Sequence, residues 1–266
     1  MRSFLFIFLL LQICLSNHST GEDWSEFKDK HFVVYYTMSE DESWARVLLQ
    51  KAEEYYDRIA LEIGYSRYSN FWTWEDRVKI IIFADQKTYL QKTGQPKWST
   101  GYSNRDSQLF KSRVIVTYHQ ENDFIDGLLP HEISHLILRD FIGFDRQIPL
   151  WFDEGVAQLN EANKKILADT LMKKLVKQNQ FIPFEVLTTR DIRQETDSKK
   201  AIRFYLESVS VVDFLIKEYG HSAFGDLCRG LKDGKDIEDA IRGAYSGSID
   251  SIVSLQEQWV KYMQKQ

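Results

Sequence analysis

Hydrophobic residues recur along this chain in two rhythms. Before residue 140, short β-branched and aromatic runs alternate with helical spacing. His31–Thr37 (HFVVYYT), Arg77–Ala84 (RVKIIIFA) and Arg113–Tyr118 (RVIVTY) read as strands. Between the first two, Trp44, Val47, Leu48, Ala52, Tyr55, Ile59, Ala60 and Ile63 mark one face of a long helix, capped by Ser39 or Asp41 and closed by Gly64. Asp85–Lys92 reads as a short helix stopped by Gly94 and Pro96. The segment around 99–118 forms a hairpin with a polar turn at Asn104-Arg105-Asp106. Residues 17–29 are polar and are expected to be a loose entry, and Gln120–Asp123 a linker.

After residue 140 the strand rhythm disappears. Helical stretches are predicted at Leu150–Asn160, Ala162–Gln178, Ala201–Tyr219, Ser222–Lys232, Ile237–Ala244 and Ile249–Met263, punctuated by Gly220, Gly234 and Gly247. The expected fold class is α+β. A mixed β-sheet with helices makes an N-terminal lobe over 17–139, and an all-helical lobe follows over 140–266.

The first sixteen residues stand outside this pattern. Met1-Arg2 precedes an apolar run from Phe4 to Leu15, broken only by Gln12, with the small Ser16 after it. This reads as a signal peptide over 1–16 and a secreted or periplasmic product. The run is short for a permanent span; the alternatives are a retained membrane anchor or lipidation of Cys14 in a lipobox-like L-Q-I-C. Without residues 1–16 the remaining cysteine, Cys228, has no partner, so stability must come from packing and a metal. The formal charge of −5 argues against a nucleic-acid surface, and no nucleic-acid partner is expected.

The candidate chemistry lies between His131 and Glu154. His131 and His135 are four residues apart, on one helical face, so both imidazoles can reach one ion. Glu132 projects beside them, close enough to take a proton from a metal-bound water. Pro130 suits the first turn of that helix. Leu128, Leu129, Ile133, Leu136, Ile137 and Leu138 flank the histidines, so the helix is expected to be buried, where idle polar groups would be costly. Gly143 and Pro149 let the chain leave this helix and enter another, on which Glu154 can face back as the third ligand. Three protein ligands leave the fourth position of a zinc ion open, as hydrolysis requires.

His131-Glu132-Ile133-Ser134-His135, eighteen intervening residues, then Trp151-Phe152-Asp153-Glu154-Gly155 resembles the gluzincin metallopeptidases. The wider layout is similar to the peptidase MA-like family of exported gluzincins. The resemblance implies one Zn2+ per chain on His131, His135 and Glu154, with Glu132 activating a zinc-bound water against the peptide bond of a peptide or protein substrate. It also points to Tyr205, in Phe204-Tyr205-Leu206-Glu207-Ser208, as the oxyanion donor; a core aromatic is the competing role. Aminopeptidase gluzincins carry a G-x-M-E-N-like stretch, which this chain lacks, so an endopeptidase is favoured. A non-catalytic scaffold keeping a structural metal is the other alternative. Trp98–Ser103 is either an edge strand for substrate or an ordinary hairpin strand. Asp153 either orients a ligand or favours a helix N-terminus. His119, at a strand end before the metal helix, is either a support of the site or, as the favoured reading, simply a polar strand end, and His31 and His221 are expected in solvent or loops. Lys164, Lys165, Lys173, Lys174 and Lys177 mark a solvated face.

Overall fold

The structure, a computed structural model, describes residues 24–37, 42–65, 72–97, 99–104, 113–119, 124–193 and 195–265. The signal-peptide reading of 1–16, Cys14, the linker at 120–123, Trp98 and the turn residues Arg105 and Asp106 lie outside them.

A five-stranded sheet has the order β1-β2-β3-β5-β4, with β1 Ser25–Lys28, β2 Phe32–Tyr36, β3 Val78–Phe83, β4 Gly101–Asn104 and β5 Val114–Tyr118. β2, β3 and β5 run parallel, and β1 and β4 are antiparallel strands at the two edges. The sheet is therefore mixed. β1 corrects the loose entry expected over 17–29: its side chains are mostly exposed, so no apolar alternation announces it, and it forms by pairing with β2.

Alternation along β3 sorts its side chains to two faces. Val78, Ile80 and Ile82 join Phe32, Val34 and Ile115 under α1 (Glu42–Ile63) and α3 (Leu129–Ile142). Ile81 and Phe83 face the other way with Val114 and Val116, against Tyr89 of α2 (Gln86–Thr93). Asp85 caps α2 through the Thr88 N–H, and Gly94 ends it in the left-handed region.

Among the described residues every regular element after α3 is a helix: α4 Leu150–Leu159, α5 Lys164–Lys177, α6 Phe184–Leu187, α7 Ser198–Lys232, α8 Ile237–Ala244 and α9 Ile252–Lys265. The fold is α+β, as its hydrophobic rhythm predicts. The stretches 201–219 and 222–232 are two helices, as their spacing predicts; they follow one another along α7 across a kink at Gly220 (φ 81°, ψ 164°). The buried core runs without a break from Phe32 in the sheet to Met263 in α9.

His31 is not in solvent. It is 4% exposed, its Nδ1 lies 2.5 Å from Glu53 Oε2, and its ring stacks on Tyr56 at 3.9 Å. Its partner sits 22 residues away on α1, beyond any local pattern.

Candidate active site

α3 begins after a π-helical turn at Phe124–Leu128, with Pro130 in its first turn where no N–H is needed. Ten of its side chains are buried, among them Leu129, Ile133, Leu136 and Ile137. The helix is thereby held in the core while His131 and His135 reach the cleft. α4 starts at Pro149. Trp151 (1% exposed) and Phe152 (0%) anchor it, and Phe152 packs on Phe224 of α7 at 5.6 Å between ring centres. Glu154, one turn in, faces α3.

The three expected ligands meet. His131 Nε2 and His135 Nε2 are 3.1 Å apart, and each lies 3.9 Å from a different oxygen of Glu154. One ligand atom from each lies within 4.8 Å of the others. A tetrahedral ion with bonds near 2.0–2.1 Å sets its ligand atoms about 3.3 Å apart, so the donor set and its spacing fit a small divalent cation.

The far side of each ring is held. His135 Nδ1 lies 2.9 Å from Asp153 Oδ1, and His131 Nδ1 lies 2.8 Å from Glu161 Oε1. An Nδ1–H donating to a carboxylate leaves the Nε2 lone pair for a metal. Asp153 holds the His135 ring and also stands in the first turn of α4, so its position serves both of the roles expected of it. It is clamped in turn by Arg139, whose Nε and Nη2 donate to Oδ2 at 3.1 and 2.5 Å. Arg139 is one turn after His135 on α3, so this clamp also ties α3 to α4.

Glu161 carries no motif. Its only sequence signal is position: seven residues after Glu154, two turns along, it returns to the same side. The turn after α4 holds it there, since Ala162 N–H donates to the Asp126 carbonyl at 2.9 Å, tying the turn to the π-helical entry of α3.

The electrostatics favour a cation. Burial pushes the His135 imidazolium down, but the charge and hydrogen bond of Asp153, then Glu154 and Glu132, outweigh it and carry the pKa up to about 10. Burial raises Asp153, yet His135 and then Arg139 bring it down to about 2. A field that stabilises a proton at His135 stabilises a metal cation there as well.

Glu132 is 7% exposed and lines a cleft of about 590 Å³ together with His131, His135, Glu154, Leu136, Phe144 and Arg193. Gly101–Asn104 of β4 form the opposite wall. The hairpin expectation holds, with Tyr102 opposite Val116, and β4 is at the same time the sheet edge that borders the cleft. A Cβ on Gly101 would lie 2.6 Å from Leu128 Cδ2, so glycine lets β4 approach the start of α3.

Tyr205 is half-buried on α7, and the charge of Glu154 reaches its phenol. It is not among the side chains that line the cleft. His119 follows the end of β5, packs on Trp44 at 6.1 Å between ring centres, and is not among the side chains that line the cleft. Of the lysines on α5, Lys164 pairs with Glu161 at 3.4 Å and Lys165 with Asp213 at 2.7 Å.

A family model described as Peptidase_MA_2, Peptidase MA superfamily, matches residues 74–265, well over half of the chain and the whole of the site. A Bacillus subtilis (strain 168) protein described as "Uncharacterized protein YhcO" is 24% identical over 231 residues. That similarity covers 82% of this chain and 66% of the relative, so the chain spans just under two thirds of that protein's length. The chain belongs to the peptidase MA superfamily, a group of peptidases whose members are typically metal-dependent.

Proposed function

We propose that this protein is an exported zinc metallopeptidase of the gluzincin type, acting as an endopeptidase on peptide or protein substrates. The observation that carries the proposal is the convergence of both Nε2 atoms and the Glu154 carboxylate beside Glu132, in one cleft bordered by an edge strand. His131, His135 and Glu154 hold one Zn2+. When bound, the ion supplies Lewis acidity for the substrate carbonyl and acidifies water at the site.

The chain's own residues supply the rest. Glu132 accepts the proton of the attacking water and returns it to the leaving amine. Asp153 and Glu161 keep both imidazoles aimed. The outer edge of β4 pairs with the extended substrate backbone and lays the scissile carbonyl over Glu132. Tyr205 donates to the developing oxyanion. Burial, then the Glu154 charge, raises the phenol's pKa, so it remains a donor at neutral pH. The lobes over 17–139 and 140–266 flank the cleft.

Export rests on residues 1–16 of the sequence. Among the described residues no helix is long and apolar enough to cross a membrane. The scaffold alternative is disfavoured by Glu132, since a structural zinc site is ordinarily closed by four protein ligands and needs no base.

The test is metal analysis with a peptide-library digest, comparing wild type and Glu132→Gln. Both proteins should bind about one zinc, while the variant loses at least about a hundredfold in kcat. Equal cleavage by the two would refute the mechanism. Cleavage of peptides blocked at both ends separates an endopeptidase from an aminopeptidase.

A further inference from the structure

Two arginines line the cleft, Arg139 and Arg193. Each is held by an aspartate through the Nε–Nη2 edge of its guanidinium. Arg139 belongs to the Asp153 clamp, and its side chain is 27% exposed. Arg193 stands in the loop between α6 and α7 with its side chain 73% exposed. Its Nε donates to Asp191 at 2.9 and 3.0 Å and its Nη2 at 2.5 Å. The Arg193 backbone N–H also donates to Asp191, at 3.0 Å, so the clamp is closed within three residues.

A guanidinium has five N–H groups in a planar fork. Asp191 takes one edge. The Nη1–Nη2 edge remains, and among the described residues no hydrogen bond from Nη1 forms. That edge has the geometry of a second two-point carboxylate receptor, already oriented by the first. Pre-orientation lowers the entropy lost on binding. The location suits a substrate group, because Arg193 lines the same cleft as the metal ligands and the charge of Glu154 reaches it. Leu136, Phe144 and Tyr102 are the large apolar side chains of the cleft, and Arg193 stands with its charged and polar lining residues.

We propose that Arg193 receives a carboxylate of the substrate, either an acidic side chain near the scissile bond or a free carboxyl terminus. Its placement as a substrate contact rests on the peptidase reading above.

The test uses zinc-loaded, full-chain Glu132→Gln protein and short fluorescein-labelled peptides in matched pairs: internal Glu against Gln, and C-terminal acid against amide. Fluorescence anisotropy should show about tenfold tighter binding of the acid member in one pair. That pair identifies the source of the carboxylate. Adding Arg193→Ala should bring the ratio close to one, and Arg193→Lys should keep only part of it, because a lysine lacks the fork. In the cleaving enzyme, the acid-to-neutral ratio of kcat/KM should fall in parallel. Arg242→Ala, at an exposed pair on α8, is the control that leaves the ratio intact. Arg193 is too exposed for its removal to endanger folding, and the melting temperature checks this. Equal binding within both pairs, or a ratio that survives Arg193→Ala, overturns the inference. Acid-selective binding by a wild-type chain that cuts no peptide would sink the peptidase reading and leave the carboxylate site standing.

Discussion

Glu207 is a fully buried carboxyl whose replacement should stabilise the protein at neutral pH. It sits on α7 at 0% exposure, and one backbone N–H, that of Ile182, donates to its two oxygens at 3.0 and 2.9 Å. A single donor is little compensation for an ionised carboxylate removed from water. Burial therefore pushes its pKa up to about 8, against the lowering effects of that hydrogen bond and of Arg203. In the unfolded chain the group ionises near its ordinary value of 4.5. As pH rises from there, the unfolded chain releases a proton that the folded chain still holds. The group's effect on stability is thus absent below 4.5, becomes more unfavourable up to about 8, and is constant above. At pH 7 the gap corresponds to about 3 kcal/mol, from ~1.4 kcal/mol per pH unit. The substitution Glu207→Gln would keep a side-chain carbonyl for the Ile182 N–H without a charge. Urea unfolding of wild type and Glu207→Gln at pH 5 and pH 7.5 should show the variant gaining about 2–3 kcal/mol relative to wild type at the higher pH. A difference that does not change with pH, or that favours wild type more as pH rises, would refute the reasoning.

Other residues lead to equally direct tests. A Cβ on Gly155 would lie 2.6 Å from the Ser208 carbonyl oxygen and 2.7 Å from Val212 Cγ2, so Gly155→Ala should cost about 1–3 kcal/mol in urea unfolding, with reduced peptidase activity. Asp153→Asn should weaken zinc binding by about 10- to 100-fold in a chelator competition, and Glu161→Gln should act in the same direction through His131. Tyr205→Phe should lower kcat by about 10- to 100-fold with little change in KM if the phenol meets the oxyanion; equal losses in kcat and stability would mark it as packing instead.

The sequence was legible where the physics is local. α8 begins and ends where the helical spacing places it, and β2, β3 and β5 lie inside the predicted strands with one residue trimmed from most ends. Gly220 was visible as a break because its positive φ interrupts the helix. The failures share a cause. β1 depends on an open edge of β2, the burial of His31 on Glu53 of a distant helix, and the position of Glu161 on a turn tied to Asp126. None of these partners leaves a periodic trace in the segment itself. The two-residue reach from Arg193 to Asp191 is local, but nothing in the sequence says that their loop meets the cleft.

The run Trp151-Phe152-Asp153-Glu154-Gly155 can be taken one residue at a time. Trp151 and Phe152 fill the core and set the rotation of α4. Asp153 then falls against His135 and Arg139, and Glu154 against both imidazoles. Gly155 lacks a Cβ where the backbone of α7 passes closest, at Ser208. Ser208 is one turn beyond Tyr205 on α7, so the same contact that seats α4 on α7 sets how far the phenol stands from Glu154. A larger residue at 155 would separate the two helices and with them Glu154, the proposed metal ligand, and the proposed oxyanion donor. The glycine beside Glu154 is therefore a geometric requirement of the way α4 sits on α7.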